Sequence, residues 1–125
     1  MYTAIQTEDA PAAIGPYSQA MVVGDWVFVS GQIGLDPASG VLKGPDLEAQ
    51  ARQALANLKA ILKAADRGLS QVAAVDVYLA DMKDFAAFNA IYEEFFGSHR
   101  PARAVVAVKE LPKQAVVEIK CIAGH

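Results

Sequence analysis

The sequence predicts an α+β fold, a mainly antiparallel sheet with two helices on one face. Three observations predict it. Residues 46–66 place Leu47, Ala51, Ala54, Leu55, Leu58, Ile61, Leu62 and Ala65 on a single helical stripe. Residues 81–96 repeat that spacing with the aromatics Phe85, Phe88, Tyr92 and Phe95. The rest of the chain reads as short β-rich runs separated by turn residues.

Taken in order, residues 2–6 predict a short strand, and residues 8–15 an Ala- and Pro-rich loop ending at the Gly15-Pro16 bend. Residues 18–23 and 26–30 are β-rich runs, and the Gly24-Asp25 spacer between them predicts a tight hairpin. The second run ends at Ser30-Gly31-Gln32, where a glycine lets a ligand or another backbone come close. Residues 36–44 read as a surface loop. Asp46 predicts the N-cap of the first helix, with Glu48 and Arg52 an i,i+4 pair on its outer side and Gly68 just past its end. Residues 72–79 predict a strand with Val75, Val77 and Leu79 on one face. Asp81 predicts the cap of the second helix and Gly97 its stop. The aromatic stripe of that helix reads as core.

Residues 101–118 predict a closing hairpin, with runs over 102–108 and 115–122 and a turn around Leu111-Pro112-Lys113. Alternation puts Arg103, Val105 and Ala107 on one face of the first strand, and Val116, Glu118 and Lys120 on one face of the second. Symmetric pairing then sets Arg103 opposite Glu118. Two chemistries fit such a pair. One is a cross-strand ion pair that closes the hairpin. The other is a planar guanidinium fork for a carboxylate beside a group that takes a proton or steers a water.

The chain has 125 residues, which predicts one domain. It is 54% hydrophobic and 20% charged, far from a disordered composition. So small a chain buries a limited share of its surface, and the apolar excess predicts burial against another subunit. A net charge of −3 argues against non-specific nucleic-acid binding, which needs clustered cations. No apolar run is long enough to span a bilayer, so no membrane contact is expected. Met1-Tyr2-Thr3-Ala4 lacks the basic start and apolar segment of a signal peptide, and a cytoplasmic location is the expectation. One cysteine, Cys121, excludes an intrachain disulfide and a cysteine-based zinc site. It falls on the strand face opposite Glu118, where it reads as a small buried hydrophobe. His99 and His125 are isolated and suggest neither a metal site nor a catalytic triad. No phosphate-binding glycine loop is present.

Several segments together carry a family resemblance. These are residues 12–19 (AAIGPYSQ), residues 29–32 (VSGQ), and Pro101-Ala102-Arg103 followed by Val117-Glu118-Ile119. In this order and spacing they resemble the RidA family, the YjgF-like reactive-intermediate deaminases. The resemblance covers nearly the whole chain. It implies a chorismate-mutase-like fold and a homotrimer with its sheets inward and its sites in the clefts between subunits. It implies hydrolysis of 2-imino acids, such as 2-iminobutanoate and 2-iminopropanoate, to 2-keto acids and ammonia, with no metal or organic cofactor.

Residue by residue, Arg103 matches the family's carboxylate-binding arginine, and Glu118 its acidic residue assigned to water activation. Tyr17, Ser30 and Gly31 match the pocket wall, with the Gly31 backbone near the imine nitrogen, and Asn89 matches an asparagine near the site. Val105 departs from the pattern, since many members carry cysteine there; its backbone groups stay available to the substrate. The link from Phe96 to Pro101 is shorter than in some members. The reading from another class is a trimeric small-ligand-binding or regulatory protein without turnover. RNA cleavage, proposed for some relatives, fits poorly with the acidic balance. A chorismate mutase would need several cations around its dianionic substrate.

Overall fold

The computed structural model describes residues 2–125, so Met1 of the N-terminal start lies outside the described residues. Six strands form a single sheet in the order β1-β2-β3-β6-β4-β5. They are β1 (Tyr2–Ile5), β2 (Ala20–Val23), β3 (Trp26–Ile33), β4 (Val72–Leu79), β5 (Ala102–Ala107) and β6 (Val117–Ala123). Helices α1 (Leu47–Ala64) and α2 (Phe85–Phe96) lie on one face. The pairing is antiparallel except between β4 and β5. The expected α+β architecture is therefore present.

Asp46 caps α1 as its side chain accepts from the Ala49 N–H at 2.9 Å. The whole apolar stripe from Leu47 to Ala65 is buried against the sheet, where it meets Val75, Val77, Leu79, Val117, Ile119 and Cys121. Glu48 and Arg52 pair at 3.2 Å as expected. The helix stops at Asp66, which adopts a left-handed backbone, and Gly68 instead opens a short 3-10 turn over Leu69–Gln71. Asp81 likewise caps a 3-10 turn, Met82–Asp84, that leads into α2. Gly97 ends α2 with φ +65°. The aromatic stripe is core only in part. Phe88 and Tyr92 are buried and Phe95 packs partly buried against the core, whereas Phe85 is 37% exposed; Phe96, outside the predicted stripe, is buried too.

The closing hairpin is the main correction. β5 does not pair with β6. It pairs in parallel with β4, with Arg103 beside Val75 and Val105 beside Val77. β6 enters on the other side of β4, antiparallel to it and to β3, with Glu118 beside Tyr78 and Ile33. The physical reason is the crossover: β4, α2 and β5 form a βαβ unit, so β5 returns in the direction of β4. Residues 108–116 then cross the end of β4. Val108 N–H donates to the Leu79 carbonyl at 2.9 Å, and Ala80 N–H to that of Val116 at 3.0 Å. Buried Leu111 and Ala115, with Ile33, anchor this crossing in a second small apolar cluster. Alternation within each strand holds, but Arg103 is not opposite Glu118.

Among the described residues no helix is long and apolar enough to cross a membrane.

Candidate active site

The register separates Arg103 and Glu118 onto opposite faces of the sheet. Arg103 shares the face of Val75, under the helices, at the edge strand β5. Its Nη1 donates to Asn89 Oδ1 on α2 at 2.8 Å. Glu118 alternates with the buried Val117 and Ile119 and so faces away from the helices. Neither residue is an ion-pair partner of the other.

Two cavities follow from this separation, and they share no residue. One, of about 570 Å³, is walled by Asn89, Tyr92, Glu93, Arg100, Pro101 and Arg103. The other, of about 560 Å³, holds Tyr17, Ser30, Gly31 and Glu118, with Ile33, Leu35 and Ile14 among its apolar residues. Val105 packs half-buried against the main core beside Val77. Every other candidate residue thus lines one of two half-sites.

The Glu118 half-site is built by an irregularity in β3. Between Val29 and Gln32 the β3–β6 register shifts: Val29 sits opposite Cys121 and Gln32 opposite Ile119. One extra residue is accommodated at Ser30-Gly31, as in a β-bulge. Gly31 comes so close to Glu118 that a Cβ there would lie 2.2 Å from Glu118 Oε2. The glycine is needed for that approach. Burial alone pushes the Glu118 carboxyl above its ordinary range. Among the described residues no cation pairs with it to offset this.

Ser30 Oγ donates to the Ser18 carbonyl at 2.6 Å, so its hydroxyl ties the 16–19 segment to β3. Tyr17 is half-exposed, turned by a Tyr17 N–H to Gly15 carbonyl bond of 2.9 Å. The residue that sequence reasoning missed is Gln19. It is buried, donates to the Thr7 and Pro11 carbonyls at 3.1 and 2.8 Å, and accepts from the Thr7 N–H at 2.7 Å. One side chain thereby folds the whole N-terminal loop over the pocket. The polar residue amid small and apolar ones in Ser18-Gln19-Ala20 was the available signal. Gln32 and Lys113 also line this cavity and were not singled out.

Two predictions arise here. Gly31→Ala should fold, since the clash is with the mobile end of a side chain, but the carboxylate must move. If the Glu118 carboxylate takes part in catalysis, a loss of turnover on the order of a hundredfold is expected, the cost of misplacing a reacting group. An unchanged rate in the coupled assay described below would mean that the approach is not needed. Cys121 lies buried on the helix face, and burial pushes its thiol up to about 12. Cys121→Ala should therefore keep its activity and lose only stability, seen as a lower Tm in a thermal melt.

The fold and the two half-sites define a small α+β protein that sets an arginine at the edge of one face of its sheet and a carboxylate in a largely apolar pocket on the other. Comparison with known proteins gives the particular family. Residues 7–125 match the family model described as Endoribonuclease L-PSP, and the chain belongs to this family, the YjgF/RidA family. A RutC family protein of Pyrococcus horikoshii is 50% identical over 98% of both chains. A 2-iminobutanoate/2-iminopropanoate deaminase of Capra hircus is 50% identical over 95% of this chain and 87% of that one. Among solved structures, the YjgF gene product of E. coli superposes with a TM-score of 0.94 at 44% identity, over 98% of both chains. E. coli TdcF with bound serine gives 0.94 at 40% identity, again over 98% of both.

Proposed function

We propose that this protein hydrolyses 2-imino acids such as 2-iminobutanoate and 2-iminopropanoate to 2-keto acids and ammonia, at sites between the subunits of a homotrimer. One observation carries the reading: Arg103 and Glu118 stand on opposite faces of one sheet, each in its own half-site, so a single chain cannot offer both to a small substrate. A neighbouring copy supplies the missing half. The exposed edge strand β5, which carries Arg103, and the exposed Trp26, Phe28 and Val106 support such an assembly. The deaminase names among relatives of about 50% identity support the chemistry.

The reaction needs little machinery. Arg103 holds the substrate carboxylate through charge-assisted hydrogen bonds and so fixes the adjacent imine carbon. Tyr17, Ser30 and Gly31 wall the cleft, with the backbone of Val105 on the same edge strand as Arg103. Glu118 draws a proton from a water as its oxygen attacks that carbon. With the imine protonated, this gives a neutral aminoalcohol. Glu118 returns its proton to the nitrogen, the C–N bond breaks as the hydroxyl oxygen forms the C=O bond, and the hydroxyl proton leaves with ammonia as ammonium, so that the keto acid remains. No cofactor enters these steps.

The test couples the protein to a threonine dehydratase, which releases the imine, and follows keto-acid formation. An accelerated release over the uncatalysed rate is expected; a rate equal to the blank sinks the deaminase reading. The serine bound to TdcF, a carboxylate beside a nitrogen-bearing carbon, favours a second reading, a binding protein without turnover. Binding without acceleration in the same assay would select it. Light scattering should give three times the 13.2 kDa chain mass, and a stable monomer would rule out a shared site.

A further inference from the structure

The aromatic residues of α2 do more than fill the core. Phe85, Asn89 and Tyr92 are spaced i, i+4, i+7 and share one helical face. All three meet the same guanidinium. Arg103 Cζ lies 4.7 Å from the Tyr92 ring centroid and 5.9 Å from that of Phe85, and its Nη1 donates to Asn89 Oδ1 at 2.8 Å. Nε and Nη2, the two donors of one fork, have no protein partner among the described residues. The Tyr92 ring is itself held. It packs between Phe88, at 5.8 Å, and Phe96, at 4.8 Å, and is 7% exposed.

We infer that Tyr92 and Phe85 are positioning residues that, with Asn89, fix the plane of the Arg103 guanidinium so that its Nε–Nη2 edge faces an incoming carboxylate. Arg103 is an exposed residue on an edge strand. Left free, a chain this long would lose most of its rotamer freedom on binding, and affinity would suffer. A cation over an aromatic face keeps its charge and loses that freedom beforehand. The orientation of the fork follows, because one donor is committed to Asn89. The Tyr92 hydroxyl is buried without a protein partner, so the ring is the part of Tyr92 that contacts Arg103. The inference rests on reading Arg103 as the carboxylate clamp.

The test compares Tyr92→Phe, Tyr92→Leu and Phe85→Leu with the wild type, using 2-ketobutanoate binding by calorimetry and the coupled imine assay. Tyr92→Leu should raise the 2-ketobutanoate Kd and the KM by about tenfold and Phe85→Leu by about threefold, within the range of a cation–π contact. Values of kcat should hold within about twofold, because the clamp grips substrate and transition state alike. Tyr92→Phe keeps the ring and should match the wild type. A Tyr92→Phe variant as weak as Tyr92→Leu overturns the assignment to the ring. Should Tyr92→Leu not fold, Phe85→Leu at its half-exposed position decides, and an unchanged Kd and KM there overturns the proposal. The ¹⁵N relaxation of Arg103 Nε reads the ordering with no substrate present. A wild type that neither binds 2-ketobutanoate nor hydrolyses imine removes the deaminase reading. Positioning then stands if Nε is ordered in the wild type and loosened in Phe85→Leu, and falls if both are equally ordered.

Discussion

Arg103→Lys should lose imine hydrolysis by on the order of a hundredfold while the protein stays folded and assembled. An ammonium keeps the positive charge but offers no planar fork, so the substrate carboxylate is held by one point rather than two. It also loses the flat face that lies 4.7 Å over Tyr92, and with it the orientation that α2 imposes. Folding should not suffer, because Arg103 is exposed and its partner Asn89 remains half-exposed to water. Circular dichroism and light scattering check that expectation, and the threonine dehydratase assay reads the loss. Near-normal turnover in Arg103→Lys would remove Arg103 from the reaction.

Much of this was legible in the sequence, and the failure has a definite physical source. The α1 stripe, the Asp46 cap, the Gly24-Asp25 hairpin and the β4 boundaries depend on neighbours within a few residues, and the structure has them as expected. The β5–β6 pairing depends on which strand lies between two others. Two alternating runs separated by a turn look the same whether they pair directly or flank a third strand. The choice is made by α2, which brings β5 back parallel to β4, and by Leu111 and Ala115, which pin the crossing segment. The same local symmetry hid the division of the site. Residue identities named Arg103, Glu118, Tyr17, Ser30, Gly31 and Asn89 through the resemblance, but not that one sheet holds them on two faces. The role of Gln19 was hidden for a related reason. Its partners, Thr7, Ala10 and Pro11, are loop backbone groups that carry no side-chain pattern.

Glu118→Gln should cut turnover by about 10²- to 10⁴-fold, the usual worth of a placed general base. The amide is nearly isosteric, so the Gly31 approach and the pocket survive, but it accepts no proton from water. Wild-type activity should rise with pH through an acid limb above the ordinary glutamate value of 4.5, since burial raises the Glu118 pKa, and Glu118→Gln should lack that limb. Stability moves the other way. A raised pKa means the folded state holds the proton more tightly than the unfolded one. That contribution is complete below the unfolded pKa and is lost as pH rises through the folded one. At neutral pH the glutamine variant is spared this loss, and its Tm should equal or exceed that of the wild type. An inactive variant that is also less stable would point to a structural carboxylate instead. Mixing gives the sharpest outcome. Arg103→Lys and Glu118→Gln chains, unfolded together and reassembled, should regain activity that neither has alone. If each site takes Arg103 from one chain and Glu118 from the next, random assortment restores both native residues in about one site in four of the mixed protein. If both groups came from one chain, every site would carry one defect and mixing would restore nothing. The absence of rescue in a properly reassembled mixture would overturn the shared site.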